Sequence, residues 1–143
     1  MTQFIYITII AITAIDFVFE KFLDYLNDKA KSPDMPPEAE GIYDAERYSK
    51  WLAYDKANGR VGVISSSISI LLSLAMLIFG GFGWLDIQLR EITEQPVLLA
   101  LLYFAVIGFA SSLISLPFSL YSTFVIEEKF GFNKTTIKTF ILD

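Results

Sequence analysis

The chain has 143 residues, 54% of them hydrophobic, with a net charge of −5 and a mean hydropathy of +0.52. That composition belongs to integral membrane proteins, and the acidic balance, drawn mostly from one loop, argues against nucleic acid as a partner. Cysteine and histidine are both absent, which excludes disulfides, thiolate chemistry and any imidazole ligand or base.

In chain order, the first apolar run extends from Phe4 to about Phe22, interrupted by Asp16 and closed by Glu20 and Lys21. Met1-Thr2-Gln3 supplies no basic flank and no small-residue cleavage pattern follows, so the run reads as a retained span. A polar loop is expected from Asp24 to Arg60. Ser32-Pro33-Asp34-Met35-Pro36-Pro37 disfavours helix there, because each proline removes a donor and pushes its predecessor toward extended backbone. From Asp44 to Asn58 the pattern turns helical, with Asp44 as cap and Tyr48, Trp51, Leu52 and Tyr54 near a 3.6-residue period. Asn58-Gly59 can end this short amphipathic helix or form a hinge. Its aromatic face suits a headgroup-level belt or packing against a neighbouring helix, and Trp51 also suits a substrate contact.

The second span, Val61 to Leu85, holds 25 residues without a charge. As a helix it measures about 37 Å at ~1.5 Å per residue, against a hydrocarbon core of about 30 Å. Gly80-Gly81-Phe82-Gly83-Trp84 marks its end, with Trp84 an interfacial anchor. The third span opens at Pro96, runs from Val97 to about Ile126, and is expected to kink at Pro117. The fold class is therefore all-α integral membrane: three transmembrane helices, with a polar loop carrying a short amphipathic helix between the first two. The 143 residues read as one transmembrane domain with spans 4–22, 61–85 and 97–126, loop 24–60 and tail 127–143.

Orientation follows from lysine and arginine. The first loop carries Lys21, Lys29, Lys31, Arg47, Lys50, Lys56 and Arg60; the turn between spans two and three carries Arg90; the tail carries Lys129, Lys134 and Lys138. The positive-inside bias places loop and tail in the cytoplasm and the N-terminus outside.

Polar residues within the spans are the next candidates. Gly62, Ser66, Ser69, Ser73 and Gly80 fall near one face of the second span, and Gly108, Ser112, Ser115, Ser119 and Ser122 near one face of the third. Such stripes either pack two helices closely or line a wet cavity. Asp16, an ionisable group in a span, is either functional or snorkels to the interface.

The junction after the third span carries a resemblance. Leu116-Pro117-Phe118-Ser119-Leu120-Tyr121-Ser122-Thr123-Phe124 leads into Val125-Ile126-Glu127-Glu128-Lys129-Phe130-Gly131-Phe132-Asn133-Lys134-Thr135-Thr136, which resembles the end of the third membrane helix in the zinc-dependent type I CAAX prenyl proteases. The segment Tyr43 to Gly59 supports it. The resemblance implies the N-terminal membrane portion of a zinc metalloendopeptidase, building part of an intramembrane chamber wall and substrate entrance. It implies zinc in the parent protein but none in this chain, because the family's H-E-x-x-H and distant glutamate are missing. Partners implied are the lipid bilayer, the C-terminal catalytic part and a prenylated or other peptide substrate. The membrane would be the inner or plasma membrane in a bacterium and the endoplasmic reticulum in a eukaryote. The family shares the orientation read from the basic residues.

No catalytic or metal-ligating residue is expected in the chain itself. Glu127 and Glu128 are adjacent on a helix and diverge by about 100°, serine lacks its usual base, and the sequon Asn133-Lys134-Thr135 falls on the cytoplasmic side. Glu127, Glu128, Lys129, Phe130, Gly131, Phe132, Asn133 and Thr135 are candidates either to anchor the helix at the interface or to stand at the substrate entrance, bracing the zinc site without touching it. Thr139-Phe140-Ile141-Leu142-Asp143 ends inside an apolar stretch and reads as the cut end of a longer protein. The alternative to a protease front half is a stand-alone three-span scaffold or assembly module without catalysis. A reading frame that continued beyond Asp143 to H-E-x-x-H would separate the two. A channel or transporter fits less well, for want of broken helices or charged rings.

Overall fold

The computed structural model describes residues 2–32, 34 and 44–142. Most of the predicted proline-rich segment at 32–37, and Tyr43, lie outside the described residues. Helix α1 runs Thr2–Ala30, α2 Ala45–Ile78, α3 Gly81–Arg90 and α4 Pro96–Tyr121. A π-helical segment, Ser122–Glu127, continues α4 into the single turn α5, Glu128–Phe130, and α6 follows at Ile137–Leu142. Among the described residues there is no strand. Among the same residues three helical stretches are long and apolar enough to cross a membrane: Gln3–Ala30, Ala45–Ile78 and Pro96–Phe130.

The first two helices outrun, at their charged ends, the apolar stretches that mark them. In α1 the charged residues after Phe22 stay helical. Lys21 Nζ donates to Asp24 Oδ2 at 2.8 Å one turn on, and Lys29 complements the C-terminal dipole. In α2, Asp44 Oδ1 accepts from the Glu46 N–H at 3.4 Å at the N-terminus. The amphipathic stretch predicted at 44–58 is the first four turns of the same helix that carries the second span. Asn58-Gly59 neither ends nor caps it, since a glycine inside a helix costs only about 1 kcal/mol and positive φ occurs at Gly80 and Gly131 alone among the described residues. The charge-free run 61–85 divides instead at Gly80, whose φ of 69° is left-handed. Beyond it, a Cβ at Gly81 would run into Met76 Sδ, so a larger residue in the passage from α2 to α3 would have to displace the flexible end of that side chain.

The side chains present an inverted protein. Among the described residues the buried hydrophobic ones are Leu89, Leu99 and Ile126, while Phe4, Phe79, Phe104 and Phe109 are largely exposed. Helices that display Phe, Ile and Leu outward are solvated by lipid or by other apolar protein, because in water such a surface would aggregate.

The chain forms two compact units, residues 1–19 with 65–116 and residues 20–64 with 117–143. In the first, the Tyr6 hydroxyl donates to the Leu77 carbonyl at 2.6 Å, near the C-terminus of α2, where the same carbonyl also accepts the Gly80 N–H at 3.2 Å. The Tyr103 hydroxyl donates to the Phe82 carbonyl in the first turn of α3 at 3.4 Å, and Arg90 Nε is paired with Asp86 Oδ2 at 2.7 Å. The second unit holds the candidate site.

Candidate functional site

The site is built from the polar half of α2 and the chain from Pro117 onward. After the π-helical segment, α5 stops at Gly131, which takes φ 69° and donates its N–H to the Glu128 carbonyl at 3.0 Å. Phe132 and Asn133 N–H groups then both reach the Glu127 carbonyl, at 2.8 and 3.2 Å. This left-handed glycine cap satisfies carbonyls that would otherwise be orphaned. The Asn133 amide locks the turn from both ends: Oδ1 accepts from the Thr135 N–H at 2.7 Å and Nδ2 donates to Glu128 Oε2 at 3.1 Å.

The turn folds back on α2. Phe132 and Phe130 both meet Tyr54 edge to face, at centroid distances of 5.0 and 5.9 Å. Lys50 Nζ stands 5.4 Å from the Phe132 ring centroid, a cation–π distance. Four residues beyond Tyr54, Asn58 Oδ1 accepts from the Ser122 hydroxyl at 2.5 Å, which ties the π-helical segment to the same helix. Lys31 pairs with Asp55 on α2, and the Tyr48 hydroxyl donates to the Ser32 carbonyl at 3.1 Å. The hydrogen bond to Asp55 is the main cause that holds the Lys31 ammonium above its ordinary pKa.

Between these walls lies a cavity of about 540 Å³. From α2 it is lined by Ala57, Arg60, Val61 and Ile64, and from the other side by Pro117, Phe118, Tyr121, Val125, Ile126, Lys129 and Phe130. Its surface is apolar except for two cations and a phenol. Nothing in it resembles a catalytic centre: it has no carboxylate, no imidazole and no nucleophile paired with a base.

A family model described as the CAAX prenyl protease N-terminal, five membrane helices, matches residues 24–143. The chain belongs to the CAAX prenyl protease family. It is similar to the CAAX prenyl protease 1 homologs of Oryza sativa subsp. japonica, 33% identical over 135 residues, and Arabidopsis thaliana, 33% identical over 144 residues. These alignments cover 89% and 95% of this chain and 32% and 34% of the relatives. Among solved structures it is similar to the crystal structure of S. mikatae Ste24p, with a TM-score of 0.80 and 28% identity over 96% of this chain and 34% of that one. The chain thus spans about a third of the length of the curated relatives it matches.

The residues singled out in the sequence fall into two groups. Glu127, Glu128, Lys129, Phe130, Gly131, Phe132, Asn133 and Thr135 are gathered on one capped turn, with Lys129 and Phe130 also lining the cavity. The intramembrane polar residues do not converge on a single cluster among the described residues. Asp16 is exposed, as are Ser69, Ser73 and Ser119, and Ser66 is half-buried. Ser112 Oγ donates to the Gly108 carbonyl at 2.9 Å and Ser115 Oγ to the Ser112 carbonyl at 3.1 Å, each within its own helix. A Cβ at Gly62 or Gly108 would meet no atom within 4 Å, so neither glycine is required by a close helix contact. The zinc that the family resemblance implies does not fit this donor set. The chain has no histidine or cysteine, and among the described residues no group of three or more carboxylates could hold a metal ion.

Sequence reasoning missed Tyr54, Asn58 and Arg60 as parts of the site. Tyr54 was legible only as one aromatic on an amphipathic face. Asn58 next to Gly59 carries a helix-stop signal, which concealed its use as a partner for Ser122. Arg60 registered as a charge for topology, with nothing to indicate that it lines the same cavity as Lys129.

Proposed function

We propose that these 143 residues are the front membrane part of a CAAX-type zinc metalloendopeptidase, contributing part of the intramembrane chamber wall and of the substrate entrance. The zinc site would be carried by polypeptide outside this chain. The observation that carries this reading is the family match over 24–143 in a chain without a single imidazole or thiolate. A membrane domain of this family with no zinc ligand has a structural task, and the protease chemistry must come from the remaining two-thirds that the relatives possess. Loop and tail face the cytoplasm on this reading, so a prenylated or other peptide substrate approaches from the side where the capped turn lies. The turn at 127–135 then braces neighbouring helices or guides the substrate tail.

The test is a graft. Residues 1–143 would replace the corresponding third of the Saccharomyces cerevisiae CAAX prenyl protease 1, to which they are 28% identical over 138 residues. Cleavage of a prenylated CAAX peptide by the chimera, with zinc content like that of the parent, supports the proposal. A chimera that inserts and loads zinc normally but cleaves nothing contradicts it. The isolated chain, washed with chelator, is expected to retain no stoichiometric zinc.

A further inference from the structure

The cavity in the second unit has a polarity gradient that runs the same way on both walls. On α2 the order is Arg60, Val61, Ile64, entering the charge-free run that begins at Val61. On the opposite wall, Pro117 and Phe118 lie inside the charge-free run 95–126, and Lys129 lies three residues beyond its end. One end of the cavity is therefore cationic and the other hydrocarbon-like, with the cationic end where the spans leave the apolar layer.

The two cations have no acid to neutralise them there. Among the described residues neither Arg60 nor Lys129 is in an ion pair, and no carboxylate lines the cavity. The nearest acid in sequence, Glu128, is engaged by Asn133. Two positive charges at the membrane interface above an apolar trough are complementary to a molecule with an anionic head and an acyl tail. A zwitterionic lipid brings its own cation and gains little from the pair. A free anion gains nothing from the trough.

We propose that this cavity is a site for one anionic phospholipid, its phosphate between Arg60 and Lys129 and an acyl chain along Val61, Ile64, Pro117 and Phe118. Basic pockets between membrane helices bind anionic headgroups by this charge pairing, at about 1 kcal/mol per Lys or Arg near the surface. The consequence would be a lipid wedged between α2 and the π-helical segment, bracing the capped turn from the membrane side.

The full chain would be reconstituted in nanodiscs of phosphatidylcholine containing a minority of phosphatidylglycerol, then released and weighed by native mass spectrometry. One retained phosphatidylglycerol per chain is expected. Arg60→Gln and Lys129→Gln should each weaken retention about fivefold, the equivalent of about 1 kcal/mol, and the double variant more. Arg60→Lys keeps the charge and should retain the lipid, as should Lys138→Gln, which makes the same charge change on α6. Excess inorganic phosphate should not displace the lipid. Equal retention of phosphatidylcholine, equal loss in Lys138→Gln, or undiminished retention in the double variant would each overturn the proposal. So would displacement by inorganic phosphate, or by a short peptide with a free terminal carboxylate at matched concentration, which would assign the cations to another occupant.

Discussion

The edge of one ring meets the face of the other where Phe132 packs on Tyr54, with centroids 5.0 Å apart and planes at 69°. Soon after the third span ends, the chain has turned back onto the helix that leads into the second. This contact makes the turn part of a packed structure instead of a trailing anchor. Edge-to-face pairs contribute about 0.5–1.5 kcal/mol beyond the area they bury. A double-mutant cycle of Tyr54→Ala and Phe132→Ala, read by thermal unfolding in detergent, should show a coupling in that range. A coupling near zero would return the turn to the status of a free tail.

Gly131 closes α5 at φ 69°. An L-residue in that conformation is disfavoured by roughly 1–2 kcal/mol, although a Cβ would meet no atom nearer than Lys50 Nζ at 3.6 Å. Gly131→Ala should therefore destabilise by about that amount through backbone strain alone, with Gly131→Asn costing less. The comparison of the two variants, again by thermal unfolding, isolates the conformational term from any steric one.

The three spans were legible because soluble helices seldom reach bilayer length without a charge. Their ends were not. A run of apolar residues reports where lipid is, whereas a helix ends where its backbone finds another partner, and Glu20, Lys21 and Lys29 are good helix formers. Gly80 and Gly59 look alike in sequence; the structure distinguishes them because only Gly80 takes the left-handed conformation. The Phe-Gly-Phe-Asn run was legible as a candidate at the substrate entrance, and its glycine and short amide beside large rings have a turn chemistry of their own. That it folds onto Tyr54, that Ser122 reaches Asn58, and that Arg60 shares a cavity with Lys129 all depend on pairings between residues far apart in the chain, which no local pattern encodes.

In the full-length enzyme, Asn133→Ala removes both the bond to the Thr135 N–H and the bond to Glu128, and Glu128→Ala removes the second alone. If the turn supports the catalytic part or guides substrate, Asn133→Ala should lower proteolysis about tenfold or more and Glu128→Ala less. Zinc content and expression should stay near those of the wild type. Wild-type turnover in both variants would reduce the segment to an interfacial anchor.

Orientation is testable in this cysteine-free background. Ser32, Glu94 and Thr136 are all exposed, so single cysteines there should be reachable by a membrane-impermeant thiol reagent from whichever side they face. Labelling of intact cells is expected at position 94 and not at 32 or 136. The opposite pattern would invert the topology and, with it, the side from which substrate enters.

The pair between Lys31 and Asp55 makes a prediction about pH. The hydrogen bond to Asp55 raises the Lys31 pKa above 10.5, desolvation opposes it, and the charges of Asp55, Asp28 and Asp24 reinforce it. A raised ammonium pKa stabilises the fold fully below the unfolded value and loses that stabilisation as pH climbs through the folded one. The stability difference between wild type and Lys31→Met should be flat between roughly pH 6 and 9 and shrink in the alkaline range above the ordinary lysine value. With both side chains about a third exposed, its size should stay below about 1 kcal/mol.

The π-helical segment from Ser122 to Glu127 is where this part of the chain can take up a change in length. Winding there is looser than in the helix before it, as if one extra residue were held inside a helix. Removing one residue from it would restore ordinary winding and leave Lys129 and Phe132 near the faces they now occupy. Removing one from the ordinary helix before it would instead turn both by about 100°, Lys129 away from the cavity it shares with Arg60 and Phe132 away from Tyr54.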